Sequence, residues 1–121
     1  MRIGELAERA GTSARTLRYY ESQGLLRTRR APNGYRDYDE GDLLLVREIR
    51  SLLEMGFGLD ETRPFVDCLR AGNESGAVCP DSIQVFRRKL ADLDRCMTAL
   101  SAVREQVSGQ LSAALTARGR I

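Results

Sequence analysis

Apolar residues recur along the chain in two rhythms, a short helical one up to about residue 70 and a sustained seven-residue one beyond residue 80. Ile3, Leu6, Ala7 and Ala10 fall at i, i+3, i+4 and i+7, the spacing that lays one apolar stripe along a short helix. Gly11 stops it. Thr12 and Ser13 carry hydroxyls that can accept from the unpaired amides of a following turn, so a second helix is expected from Ser13 to about Ser22, with Leu17 and Tyr20 inward and Gly24 as its left-handed stop. Two short helices joined by a tight glycine turn make a helix-turn-helix pattern. Asn33-Gly34 then favours the positive φ angles of a two-residue hairpin turn, predicting a small β-hairpin of roughly Leu26 to Arg30 against Tyr35 to Tyr38. Asp39 is the expected cap of a third helix, with Glu40 and Asp42 at the positive end of its dipole and Leu43, Val46, Ile49, Leu52 and Leu53 on its buried side. Gly56-Phe57-Gly58 breaks that helix, and a fourth is expected from Leu59 or Asp60 to Leu69.

Residues 71–79, AGNESGAVC, read as a linker on their Gly, Asn and Ser content. With Ile83 at heptad position a, the a residues are Ile83, Leu90, Met97, Arg104 and Leu111, and the d residues are Phe86, Leu93, Leu100, Val107 and Ala114. All but Arg104 are apolar. Such a run predicts a coiled-coil helix of about 35 residues, roughly 50 Å long. A lone helix of this kind cannot bury its seam, so its expected partner is the same helix of a second chain, with Ile83, Phe86, Leu90, Leu93, Met97, Leu100, Val107 and Leu111 as dimerisation residues. The expected fold is mainly α: a head over 1–70 with a helix-turn-helix and a β-hairpin wing, a linker over 71–80, and a coiled-coil dimerisation helix over 81–117.

Charge sharpens this picture. The 121 residues carry a net charge of +2, but residues 1–36 hold eight Arg against three Glu, for +5, residues 37–61 come to −6, and the remainder to +3. A basic front end on a near-neutral chain points to an anionic partner for that end alone. The sequence has no histidine, the commonest general base and metal ligand. It also lacks a Gly-rich phosphate loop and paired catalytic carboxylates, so no enzyme is expected. No apolar run approaches the roughly 20 residues of a membrane helix, and the N-terminus has the acidic residues and helical rhythm of a cytoplasmic chain rather than a signal peptide.

The second helix, in TSARTLRYYESQGLL, carries Arg15, Thr16, Arg18 and Tyr19 around its exposed side, a mixture that can meet both phosphates and base edges in a major groove. The hairpin adds Arg29, Arg30, Asn33 and Arg36. Taken with NGYRDYDEGDL and LLEMGFGLDE in this order and spacing, IGELAERAGTSARTLRYYESQGLL resembles the MerR family of bacterial transcription regulators. The resemblance implies a winged helix-turn-helix that binds double-stranded promoter DNA as a homodimer held by an antiparallel coiled coil. It further implies an operator between unfavourably spaced promoter elements, which the regulator bends and untwists so that RNA polymerase can engage. By motif, Arg18 and Tyr19 would face the major groove with Ser13, Arg15 and Thr16 beside them. Tyr20 would pack or reach a phosphate, Arg30 and Asn33 would lie on the wing, and Tyr35, Arg36 and Tyr38 would anchor it. The MGF turn would offer backbone amides to a phosphate. Tyr20 and Tyr38 also fit the core, since tyrosine often buries its ring, and Arg2, Arg9 and Arg47 read as solvated surface charges. The sequence departs from the family at Gly58, where a Ser often stands, and at Pro64, which cannot donate within the fourth helix.

Three cysteines at unrelated spacings do not form a disulfide framework. Cys79 precedes Pro80, a favoured first helical residue, which places it at the N-cap of the long helix, where the dipole would lower its pKa and Asp81 would oppose that. It is the candidate for thiol-based sensing. Metal-sensing relatives use a cysteine here with others beyond the coiled coil; SAALTARGRI has none, so no metal or other cofactor is expected. Cys68 and Cys96 could fill apolar gaps. A small organic effector would be lined by Phe65, Leu69 and Phe86. The competing reading is an adaptor whose coiled coil binds another partner and whose head senses nothing.

Overall fold

Left-handed glycines and polar caps divide the first part of the chain into short helices. The computed structural model describes residues 1–27, 31–35 and 37–120. Helix α1 (Ile3–Ala10) ends at Gly11, whose φ of 71° is open to glycine at no steric cost. Helix α2 (Ala14–Ser22) starts on Ser13, whose side chain accepts from the Thr16 amide. Helix α3 (Glu40–Glu54) opens on a capping box in which Asp39 and Asp42 each accept from the other's backbone amide, at 3.0 and 2.9 Å. This reciprocal pairing accounts for an almost fully buried carboxylate at Asp42.

The core forms where the apolar stripes of these helices meet. Leu6, Leu17, Tyr20, Leu25, Leu43, Val46, Ile49 and Val66 belong to one buried cluster. The chain start is tied to the segment before α3: the Met1 ammonium donates to the Tyr38 carbonyl at 2.7 Å, and the Tyr38 amide donates back to the Met1 carbonyl at 2.8 Å.

No strand occurs among the described residues, and the turn of the expected β-hairpin wing differs from the two-residue form. Gly34 takes a φ of 84°, but Asn33 does not take a positive φ, so the pair cannot form the tight turn that requires both. Instead the Gly34 amide donates to the Ala31 carbonyl at 2.9 Å, and the Ala31 amide donates to the Tyr35 carbonyl at 2.7 Å. The result is a wider turn closed by a left-handed glycine. The expected strand residues Thr28, Arg29, Arg30 and Arg36 lie outside the described residues.

The fourth helix is also reshaped. A 3₁₀ turn over Asp60–Thr62 precedes α4 (Arg63–Arg70), so Pro64 falls in the first helical turn, where a missing amide donor leaves no bond unmade. Glu61 Oε1 accepts from the Gly58 amide at 2.9 Å, replacing the hydroxyl cap that a serine would supply.

The stretch 71–79, expected as a linker, is mostly exposed but is anchored at Gly76. Gly76 is buried, and its carbonyl accepts from the fully buried Ser82 hydroxyl at 2.6 Å. A methyl group at Gly76 would stand 2.7 Å from the Phe65 carbonyl oxygen and 3.3 Å from Glu48 Oε1. Backbone cannot yield as a flexible side chain can, so Gly76→Ala should destabilise by about 1–3 kcal/mol, the usual cost of overpacking. A denaturant titration with an unchanged midpoint would contradict this.

Helix α5 (Pro80–Gly119) runs for 40 residues. Its first residues, including buried Ser82 and Val85, fall in a compact unit over Met1–Val85, and the rest forms a second unit. In that second unit the seam is exposed in the single chain: Leu90 is 60% accessible, Met97 69% and Leu100 70%. Among the described residues no helix is long and apolar enough to cross a membrane.

Candidate nucleic-acid interface

The burial pattern of α2 separates two faces. Leu17 and Tyr20 are buried, whereas Arg15, Arg18 and Tyr19, spaced i, i+3 and i+4, share an exposed side. Tyr19 is 54% accessible. At the start of the helix the Ser13 hydroxyl accepts from the Thr16 amide at 3.1 Å and lies 3.0 Å from the Thr16 hydroxyl. Among the described residues no ion pair engages Arg15 or Arg18. Two guanidinium groups and a phenol therefore stand on one open, polar face.

The far end of α2 is held by side chains that sequence patterns do not single out. Arg63 Nη1 donates to the Gln23 carbonyl at 2.8 Å, and Arg70 donates to the Gly24 and Leu25 carbonyls at 3.4 and 2.6 Å. Cations at a helix C-terminus satisfy free carbonyls and complement the negative end of the dipole. Their spacing of seven residues, which puts both on one face of α4, is the only trace in the sequence.

In the turn over residues 31–35, the Asn33 side chain accepts from the Tyr35 amide at 3.2 Å. The Arg2 guanidinium stacks 4.2 Å above the exposed Tyr35 ring. Arg30 and Arg36, assigned to the same surface by sequence, lie outside the described residues. Arg9 does not add to the open charge, because it pairs with Glu40 at 2.6 and 3.1 Å. That bond holds the Glu40 carboxyl below its ordinary range. Arg47 donates to the Arg9 carbonyl at 3.3 Å.

Tyr20 and Tyr38 are core aromatics, at 4% and 2% accessibility, which favours the core alternative over a place on the contact surface. Burial pushes the Tyr20 phenol above its ordinary pKa, with Arg50 pulling the other way, so it stays neutral. The Tyr38 hydroxyl donates to Glu21 Oε1. The MGF turn is likewise corrected as a phosphate cradle. Its Met55, Gly56 and Phe57 amides donate to carbonyls at the end of α3, such as Leu53 at 3.0 Å from Gly56 and Leu52 at 3.2 Å from Phe57.

The cysteines are arranged differently from the expectation. Cys68, buried in α4, is joined to Cys79 by a disulfide with Cα atoms 5.9 Å apart. Cys79 does directly precede α5, where its carbonyl accepts from the Ile83 amide at 3.0 Å, but its sulfur is bonded rather than a free thiol. Cys96 is free and exposed on α5, so it fills no gap in the single chain. Phe65 is fully buried, edge-on to Phe57 at 6.3 Å between ring centres.

Comparison with known proteins agrees with this geometry. Residues 1–67 match the family model described as MerR HTH family regulatory protein, and residues 45–109 match that described as MerR, DNA binding. The HTH-type transcriptional regulator HmrR of Rhizobium leguminosarum bv. viciae is 36% identical over 104 residues, covering 86% of this chain and 78% of that protein. The mercuric resistance operon regulatory protein of Shigella flexneri is 35% identical over 82% of this chain and 71% of its own length. Among solved structures, the transcription regulator PbrR691 from Ralstonia metallidurans CH34 in complex with lead(II) superposes with a TM-score of 0.69 at 32% identity, covering 88% of this chain and 81% of that one. HiNmlR, a MerR family regulator lacking the sensor domain and bound to promoter DNA, shares the fold at a TM-score of 0.59 and 24% identity, covering 87% and 78%. An open basic face on the second helix of a helix-turn-helix and a family match over more than half the chain lead to one conclusion: the protein belongs to the MerR family of DNA-binding transcription regulators and is not an enzyme.

Proposed function

We propose that the protein binds its promoter as a homodimer, sets α2 of each protomer in a major groove, and bends and untwists the spacer so that RNA polymerase engages both promoter elements. The observation that carries this reading is the shared open face of Arg15, Arg18 and Tyr19. Guanidinium groups without carboxylate partners are free to take phosphates or the acceptor edge of guanine. Ser13 and Thr16 flank that face at the helix start, and Asn33 and Tyr35, the latter under the Arg2 guanidinium, would join it from the turn that follows α2 in the chain. Arg30 and Arg36 join this surface on the sequence argument alone.

Dimerisation is supported by the seam of Ile83, Phe86, Leu90, Leu93, Met97, Leu100, Val107 and Leu111 on α5. An antiparallel copy of the same helix would cover it with matching apolar residues. Control by distortion draws its specificity from how readily the spacer deforms, in addition to the bases touched. Cys79 is the position at which a chemical signal enters.

Arg18→Ala should weaken binding to a fragment of the protein's own promoter by about 1–3 kcal/mol, the range of one base-reading guanidinium. Fluorescence anisotropy at fixed salt measures it. Equal affinity for the two proteins would remove Arg18 from the interface.

A further inference from the structure

Cys68 and Cys79 bring two sulfurs together at the joint between α4 and α5, and α4 is also the helix that grips the end of α2. Cys68 is buried and Cys79 is partly exposed. The surrounding loop suits both oxidation states of the pair. Cys68 Sγ lies 3.5 Å from the Ser75 carbonyl, which can accept from a Cys68 thiol. Asn73 Nδ2 donates to the Cys68 carbonyl at 2.9 Å and stands 3.4 Å from Cys79 Sγ, where it can donate to a thiolate.

We propose that Cys68 and Cys79 are a reversible dithiol–disulfide pair that is oxidised by low-molecular-weight disulfides and that, by fastening the start of α5 to α4, changes the affinity of α2 for DNA. This rests on the DNA-binding reading above and adds to it a second cysteine, an oxidant class and a route. In the oxidising step the Cys79 thiolate attacks one sulfur of R–S–S–R, forming Cys79–S–S–R and expelling one RS⁻. The Cys68 thiol then loses its proton to solvent and attacks Cys79 Sγ, closing the internal disulfide and expelling the second RS⁻. The protein gives up two electrons and two protons, and the small disulfide becomes two thiols. Exposure sets this order, because an oxidant reaches Cys79 and does not reach Cys68.

The route to DNA is short. Arg70 lies two residues beyond Cys68 on α4 and donates to the Gly24 and Leu25 carbonyls, and Arg63 on the same face holds the Gln23 carbonyl. Fastening or freeing Cys68 therefore acts on the helix whose arginines set the end of α2.

The test uses the full chain carrying Cys96→Ser, equilibrated in glutathione buffers of increasing oxidised-to-reduced ratio, then quenched with acid, alkylated with N-ethylmaleimide in denaturant and weighed. The expected result is one transition from two maleimide adducts to none, with a linked Cys68–Cys79 peptide. Anisotropy on a promoter fragment at fixed salt should then give dissociation constants for the two forms that differ by at least about fivefold, the low end of allosteric coupling. Cys68→Ser should trap glutathione on Cys79 and lose the transition. Arg70→Gln should keep the thiol transition and lose most of the affinity difference. Two adducts at every ratio, or a disulfide that leaves affinity unchanged, overturns the proposal, and an Arg70→Gln protein with the full difference overturns the route. A protein that binds the fragment in neither form overturns the DNA-binding reading and the coupling with it, while the adduct count still decides the thiol chemistry.

Discussion

Placing glutamate at both Leu93 and Leu100 should turn the proposed dimer into a monomer and lower promoter affinity by at least about a hundredfold. The two residues are heptad d positions, 49% and 70% accessible in the single chain, and the proposed partner helix would cover both. Two copies of the double variant would put four carboxylates into one apolar seam. Burying an unpaired charge costs several kcal/mol, more than the lost leucine contacts alone. The separated helix would also fray, since most helical stability comes from packing an apolar face rather than from intrinsic preference. Sedimentation should give the single-chain mass of 13.5 kDa, and circular dichroism should show reduced helix content. Affinity falls because two heads on one dimer reach two half-sites as a unit, and separate heads do not. A variant with wild-type mass would show that the seam is not the dimer contact.

Phe65→Ala should destabilise the first unit by about 3–5 kcal/mol. Phe65 is fully buried, packs edge-to-face on Phe57, and belongs to the helix that carries Cys68, Arg63 and Arg70. Removing the ring leaves a cavity between α4 and the end of α3, and the close approach of Gly76 to the Phe65 backbone limits how far the loop can collapse into it. Domains of this size hold only about 5–15 kcal/mol in total, so this single change removes a large share. Urea unfolding followed by circular dichroism measures it. A shift below about 1 kcal/mol would mean that the surroundings refill the site.

The helices were legible because their signals are local. Ile3, Leu6, Ala7 and Ala10 define a stripe, Ser13 and Asp39 are caps, and Gly11 and Gly24 are stops, each within one or two turns of what it controls. The exposed face of Arg15, Arg18 and Tyr19 followed from the same spacing. What was not legible depends on partners distant in sequence or on a choice between close backbone states. Asn33-Gly34 was read as a two-residue turn, but only the glycine crosses to positive φ, and the turn widens. The amides of the MGF turn looked available because nothing local shows that the end of α3 already uses them. Arg63 and Arg70 reach carbonyls 40 to 46 residues away, and no periodicity encodes such a bond. The link of Cys68 to Cys79 depends on how the loop between α4 and α5 folds back, whereas their separation of 11 residues matches no recognised motif.

The split between the two faces of α2 has a consequence for how such a regulator can diversify. Leu17 and Tyr20 are committed to the core, and the end of the helix is fixed by arginines from α4, so its position is set by residues that never meet a partner. Arg15, Arg18 and Tyr19 contribute no such support. Exchanges at exposed sites of this kind usually move stability by no more than about 0.5 kcal/mol. The residues proposed to choose an operator can therefore drift while the frame that aims them stays constant, and new promoters can be acquired by a lineage without rebuilding the head.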